Sequence, residues 1–431
     1  MPTSVRIVVA PNAFKGTLTA NEAAHAMADG VGDTYRHADI VMRPVADGGD
    51  GTVAAALAAG FTRHEATVAG PLGTAVRAAF AVRADAAVLE TATASGLRLV
   101  PPGRLAPLAA STAGTGELVR AALDAGARRL LLGAGGSATT DGGVGMASAL
   151  GVRFLDRTGR PLPPGGAALR DLHTIDVSGR DRRLAHAEIT VAADVDSPLL
   201  GPHGAAAVFG PQKGAGPAEV AVLEEGLRTL ANRLDALPWD VAGLPAREAR
   251  VTAGAGAAGG LGFGAMVFLG AQIRAGAELL LDLVDFDAAL DGAHLVITGE
   301  GALDATTLRG KAPAVVASRA RTAGVPVIAV CGRVDLDPGR WQDAGFTAVF
   351  TVHPVAPVHP GATSPPGGPR CRRPRDGGGA GVRRPGRGCP QAATCDRRSP
   401  PQHAVLKRSV ARYRSVVDLL REVVRFPDLG E

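Results

Sequence analysis

The chain has 431 residues, long enough for two or three domains, and its 46% apolar and 20% charged content is that of a globular protein rather than a disordered or fibrous one. Its net charge of +5 is unevenly placed: residues 355–431 carry 15 Lys and Arg against 6 Asp and Glu, which leaves residues 1–354 at −4. A mildly acidic body excludes nucleic-acid binding as its main business.

The elements in chain order begin with a buried strand over Val5–Ala10, ended by Pro11. That run is too short for the apolar segment of a signal peptide, so a cytoplasmic location is expected. A helix over Asn21–Val31, a strand over Asp39–Met42 and a helix over Gly51–Ala59 follow. This alternation predicts a parallel sheet covered on both faces. From residue 62 to 100 the texture changes to short β-rich runs, Val76–Val82 and Ala87–Leu89, which predict hairpins.

Helix and strand then alternate again through Glu117–Ala125, Leu130–Leu132, Val144–Leu150 and Ile189–Ala192, with a long helix over Val220–Leu237. The uncharged stretch Gly254–Ile273 is long enough to span a bilayer, but its glycines cluster at one end. A Gly-rich turn and a buried helix are expected there, and no membrane partner. Strands over Leu295–Thr298 and Val325–Val330 flank a helix over Pro313–Ala323, and Ala348–Val352 makes a last strand. The fold class is therefore α/β and two-lobed. A doubly wound parallel sheet is expected from residues 1–60 and 290–354, with a second mixed α/β domain, residues 61–289, inserted between them.

After residue 354 the pattern breaks. Residues 355–402 are rich in Pro, Gly and Arg and predict a disordered tail. Leu406, Val410, Tyr413, Val417, Leu420 and Val424 then mark an amphipathic helix over 403–425, a seam either for the body or for a second subunit, the latter giving a homodimer. The abrupt change suggests a reading-frame shift in a GC-rich gene. An error-free natural transcript encoding the same tail would dismiss that idea.

Five clusters carry the chemistry. The chain has four lysines against 42 arginines, and the three in the body each adjoin glycine: Lys15-Gly16, Lys213-Gly214 and Gly310-Lys311. Glycine lets backbone approach a ligand, and lysine supplies a compact cation for phosphate or carboxylate. In Asp47-Gly48-Gly49-Asp50-Gly51, two carboxylates suited to Mg²⁺ or to a hydroxyl proton lie between a strand and a helix. The run Gly133-Ala134-Gly135-Gly136-Ser137, continuing to Asp141 and Gly143, follows a strand and precedes a helix, the layout that cradles phosphates.

Asp194 and Asp196 end another strand, at alternate positions that would face opposite ways if extended. Glu300, Asp304 and Lys311 follow the strand Leu295–Thr298, at the end where α/β sheets bind ligands. A phosphate cradle, metal ligands, a base and cations are what phosphoryl transfer requires. No Walker A loop is present. Gly254-Ala-Gly256-Ala-Ala-Gly259 matches a dinucleotide fingerprint, and so leaves a nicotinamide-dependent oxidoreductase as an alternative. Cys371, Cys389 and Cys395 lack metal-ligand spacing, and Cys331 adjoins an apolar run as a structural thiol would.

The segments Ala10–Gly16, Pro44–Thr52, Thr112–Gly151, Ala193–Ala215, Gly254–Gly262 and Ile297–Pro313 together resemble the bacterial glycerate kinase family of the type without a Walker A loop. Asn12 stands where that family often has Asp, and Asp50 where Glu is common. The resemblance implies ATP- and Mg²⁺-dependent phosphorylation of D-glycerate, and a flavodoxin-like domain carrying an inserted one. On that reading Gly135, Gly136 and Ser137, with Lys15 or Lys213, hold the ATP phosphates, and Asp141 counts with the nucleotide contacts. Asp47 and Asp50, or Asp194 and Asp196, hold Mg²⁺ and take the acceptor proton, Asp47 and Asp196 being the metal candidates. Glu300, Asp304 and Lys311 complete the cleft, Lys311 on the glycerate carboxylate. A sugar-acid-binding protein that has lost catalysis through its altered tail is the remaining alternative.

Overall fold

The structure, a computed structural model, describes residues 5–14, 17–49, 51–236 and 244–352. The sequence expectations for 355–402 and 403–425, and the candidates Lys15 and Asp50, lie outside the described residues. In chain order the strands are β1 (Arg6–Val9), β2 (Asp39–Met42), β3 (Thr62–Ala69), β4 (Ala75–Arg83), β5 (Ala86–Glu90) and β6 (Arg129–Gly133). Then come β7 (Arg153–Leu155), β8 (Thr174–Asp176), β9 (Glu188–Ala192), β10 (Gln272–Arg274), β11 (Leu295–Thr298) and β12 (Ala302–Leu303). The last are β13 (Val327–Cys331), β14 (Arg333–Val334) and β15 (Ala348–Thr351).

Five of them form a parallel sheet in the order β2-β1-β11-β13-β15. Counting those five alone, this is the 2-1-3-4-5 order of flavodoxin-like folds, whose ligand crevice lies at the carboxyl ends of the first and third strands. The composition explains the order. Leu-Val-Ile-Thr of β11 and Val-Ile-Ala-Val-Cys of β13 are buried at every position, as central parallel strands must be, while β2 and β15 are part-exposed edges.

Helix Ala20–Thr34 covers one face, packing Ala23, Met27 and Val31 on Ile7, Val9, Ile297 and Val330. It starts in a capping box: the Glu22 N–H donates to Thr19 Oγ1 at 3.2 Å, and the Thr19 N–H donates to Glu22 Oε2 at 2.8 Å. Helices Gly276–Leu283, Phe286–Leu290 and Ala312–Thr322 cover the other face.

A second sheet, in the order β3-β4-β5-β6-β9-β10, is built from residues that lie between β2 and β11. Strands β5, β6, β9 and β10 are parallel, and β3 and β4 extend the sheet as antiparallel hairpins. Helix Thr52–Ala58 follows β2 in sequence yet packs Val53 and Ala56 on Phe61 and on Ala81 and Val88 of the second sheet. The hairpin β7–β8 and the long helix Pro217–Asp235 share a further core containing Phe154, Leu227, Phe263 and Phe268.

The stretch Gly254–Ile273 departs from the expected turn and single helix. Helix Ala257–Gly264 is interrupted by left-handed backbone at Ala258, Gly259 and Gly260, a π-helical turn spans Ala265–Leu269, and the chain leaves as the edge strand β10. The interruption lets this backbone nest against residues 139–143, where the Gly142 N–H donates to Gly259 O at 3.1 Å. Helix Ala246–Ala249, not a strand, precedes the dinucleotide-like match, so the layout that motif requires is missing. No helix among the described residues is long and apolar enough to cross a membrane.

Candidate active site

Both sheets present the carboxyl ends of their parallel strands to the loop that follows β2. That loop leaves the first sheet through bonds from the Arg43 N–H to Val9 O (2.8 Å) and from the Val45 N–H to Pro11 O (3.0 Å). It then lies on the ends of β6 and β9, where the Gly135 N–H donates to Gly48 O at 3.2 Å. Contact is backbone to backbone: a Cβ on Gly135 would fall 2.4 Å from the Gly49 Cα. Beneath Asp47 sits Gly276, where a Cβ would meet the Asp47 carbonyl oxygen at 2.5 Å. The Gly276 N–H donates to Asp194 Oδ1 at 2.7 Å. The Asp47 backbone and the Asp194 carboxylate, from loops of different sheets, thus meet around one glycine.

The loop from Gly133 to Asp141 is braced from behind by Lys213. Its ammonium is buried and donates to Ser137 Oγ at 3.0 Å and to Thr139 O at 2.5 Å. Burial drives its pKa down to about 7, against the nearby Asp141 charge, which favours the protonated form. Asp141 is buried as well. Its carboxylate accepts from the Thr112 N–H (2.8 Å) and hydroxyl, and from the Gly143 and Gly145 N–H groups (3.2 Å each). Burial raises its pKa and those bonds oppose the rise. So many donors make Asp141 a knot that ties the loop to the start of helix Ala113–Asp124. Gly136 is exposed and Ser137 lies just beneath the surface.

Across from these loops, Glu300 follows β11. It is buried and accepts from Thr307 Oγ1 at 2.5 Å. Burial raises its pKa, Thr307 and Lys311 pull it back, and the charges of Asp304 and Asp47 push it up again. Asp47 therefore lies within electrostatic reach of the Glu300 cluster. Asp304 accepts from the Thr306 hydroxyl and N–H, which hold its carboxyl below the usual range, and Lys311 Nζ stands 4.0 Å from Asp304 Oδ1. Lys311 is the N-cap residue of helix Ala312–Thr322.

The fold therefore gathers Asp47, Asp194 and Gly135 on one side and Glu300, Asp304 and Lys311 on the other. Ser137 and Lys213 form a buried brace beside them. Asp196, two residues beyond Asp194, is exposed to solvent. Among the described residues no group of three His, Cys, Asp or Glu could hold a metal by itself. The chemistry of the donors still suits a hard cation that brings phosphate oxygens with it, because Mg²⁺ is commonly held by only one or two carboxylates.

Residues not singled out in the sequence also shape the site. Glu90, at the end of β5, is buried and accepts from the Val53 N–H at 2.5 Å. Its signal was an acid closing the apolar run Ala87–Leu89. Thr307 and Gly276 had no comparable signal.

Comparison with known proteins fits this arrangement. The model of the glycerate kinase family matches residues 7–362. The chain belongs to that family. A glycerate kinase of Bacillus subtilis is 46% identical over 355 residues, covering 82% of this chain and 91% of that protein. A glycerate 2-kinase of Escherichia coli is 43% identical over 353 residues, covering 81% and 90%. A crystal structure from Salmonella typhimurium LT2 that carries the name glycerate kinase 2 superposes with a TM-score of 0.72 at 42% identity, covering 81% of this chain and 91% of that one. The span matched to the glycerate kinase family holds all the site residues above, and most of the Pro/Gly/Arg-rich tail lies beyond it.

Proposed function

We propose that the chain transfers the γ-phosphoryl group of ATP to a hydroxyl of D-glycerate. The observation that carries this reading is the backbone contact of the Asp47–Gly49 segment with the Gly133–Ser137 loop, within electrostatic reach of Glu300, at the carboxyl ends of both sheets. The Gly135–Ser137 loop receives the phosphates, with Lys213 setting its shape from behind. Asp47 and Asp194 would hold the Mg²⁺ that accompanies the nucleotide, and that ion would neutralise phosphate charge. Asp47 takes the hydroxyl proton as that oxygen bonds to the γ-phosphorus, and the bond to the leaving ADP oxygen breaks. Lys311 pairs with the glycerate carboxylate. Glu300, whose protonated form burial favours, accommodates that anion with less repulsion than a charged neighbour would.

We also redraw the lobes. The loop after β2 bonds to Gly135, and helix Thr52–Ala58 packs Val53 and Ala56 on the second sheet while its Ala55 joins the core of the first, so we group both with the second sheet and place the working boundary near residue 45. Cys331 is a buried free thiol whose pKa is pushed up to about 12 by burial, in keeping with a structural role in a reducing compartment.

A coupled assay of ADP release with Mg-ATP, with and without D-glycerate, tests the function. Glycerate-dependent release is expected. Tight binding of both substrates without release would favour a binding protein instead.

A further inference from the structure

Asp47 belongs by sequence to the first sheet, yet its loop is fastened to the second. Gly48 accepts from Gly135, the Asp47 carbonyl rests on Gly276, and helix Thr52–Ala58 lies under β4 and β5. A further fastening involves Glu90. Its carboxylate leaves the end of β5 and accepts from the Val53 N–H, in the first turn of helix Thr52–Ala58, at 2.5 Å. That helix has no side-chain cap of its own, and its N-cap residue is Gly51. An N–H in the first turn of a helix lacks an intrahelical acceptor, and a negative charge there is favoured by the peptide dipoles. Glu90 is buried, so this bond is protected from water.

We propose that Glu90 is a positioning residue for phosphoryl transfer. By capping helix Thr52–Ala58 from the second sheet it fixes the Asp47–Gly49 segment against the Gly133–Ser137 loop. Asp47 and the phosphate loop then form one rigid half of the site, and the Glu300–Lys311 cluster forms the other. The proposal rests on the kinase reading for its catalytic consequence, but not for its structural one.

The test compares Glu90→Ala and Glu90→Gln with Glu117→Ala. Glu117 makes a similar bond in the same lobe, accepting from the Ala69 N–H at 2.6 Å, away from the Asp47 loop. With Mg-ATP and D-glycerate, Glu90→Ala should lose about tenfold to a hundredfold in kcat, as expected for a misplaced catalytic group. KM for both substrates should stay within about threefold, because uniform binding is untouched. Glu90→Gln keeps an acceptor for the Val53 N–H and should recover part of kcat, and Glu117→Ala should lower the melting temperature without lowering kcat.

Amide hydrogen exchange on the folded full-length proteins gives a readout independent of activity. Residues 51–56 should exchange about tenfold or more faster in Glu90→Ala and unchanged in Glu117→Ala. Unchanged exchange in Glu90→Ala overturns the proposal, whether or not the wild type turns over glycerate. Equal loss of kcat in Glu90→Ala and Glu117→Ala would reduce Glu90 to a general stabilising role and overturn it too. Faster exchange in a protein whose wild type releases no ADP would uphold the positioning and remove the kinase reading alone.

Discussion

Lys213 shows how burial changes what a charged residue does. A lysine beside glycine reads in sequence as a phosphate cation, but its ammonium lies behind Ser137 and Thr139 and is already engaged. Its pKa near 7, against 10.5 for an unperturbed lysine, has a consequence for stability. Between those two values the unfolded chain binds a proton that the folded chain does not, so stability rises with pH across that window. Replacing Lys213 by Met removes this contribution. Urea unfolding at both ends of the window should show the wild type gaining on Lys213→Met toward high pH, by on the order of a few kcal/mol. A difference that stays constant with pH would contradict the buried-ammonium account. Among the site residues, Asp47 was legible because two carboxylates around a Gly pair are unusual between a strand and a helix. Asp141 was legible as a position but not as a role, since nothing in the sequence reveals that Thr112, Gly143 and Gly145 saturate its oxygens. Thr307 was invisible because its importance comes only from facing Glu300.

At the scale of elements, alternating apolar runs located the strands closely, and Asp39–Met42 and Leu295–Thr298 fall where the pattern puts them. Periodicity reports which face of an element is apolar, not which sheet that face meets. Helix Thr52–Ala58 was therefore recognisable as a helix, while its packing beneath β4 and β5 was not. The stretch Gly254–Ile273 failed for a related reason. Gly259, Gly260 and Gly264 serve a close backbone fit to residues 139–143, and tertiary contact overrides local pattern there. The same closeness between loops predicts the effect of a single methyl group. In Gly135→Ala the added Cβ meets the Gly49 Cα, which is backbone and cannot swing aside. Stability should fall by about 1–3 kcal/mol, as for overpacking, and turnover by about a hundredfold, as for a misplaced catalytic loop. A thermal melt and the ADP-release assay on one preparation separate the two. Unchanged turnover in a destabilised protein would show that the contact between the loops has no part in catalysis.

For the molecule as a whole, two carboxyl-end crevices face one loop. The first sheet alone has the crevice of a flavodoxin-like fold, between β1 and β11, where the Asn12 N–H donates to Gly299 O at 2.8 Å. The second sheet adds the side of the Gly133–Ser137 loop, and chain order hides the partnership because residues 43–49 bond to both sheets. Composition was informative at this scale: the acidic body and the basic tail separate by charge, and the family match ends at residue 362. A chain ending at residue 362 is expected to keep glycerate-dependent ADP release within about threefold of the full-length protein, because the site residues lie in the matched span. Loss of folding in the shorter chain, seen by circular dichroism, would assign the remaining residues a part in the fold.

The most direct measurement is the kcat of Asp47→Asn in the glycerate-dependent ADP-release assay, with folding checked by circular dichroism and ATP binding by calorimetry. The Asn side chain keeps the shape but cannot take a proton. Turnover should fall by about 10²- to 10⁴-fold, the usual contribution of a general base, in a protein that still folds and still binds ATP. Turnover within a few-fold of the wild type would contradict the site built around Asp47.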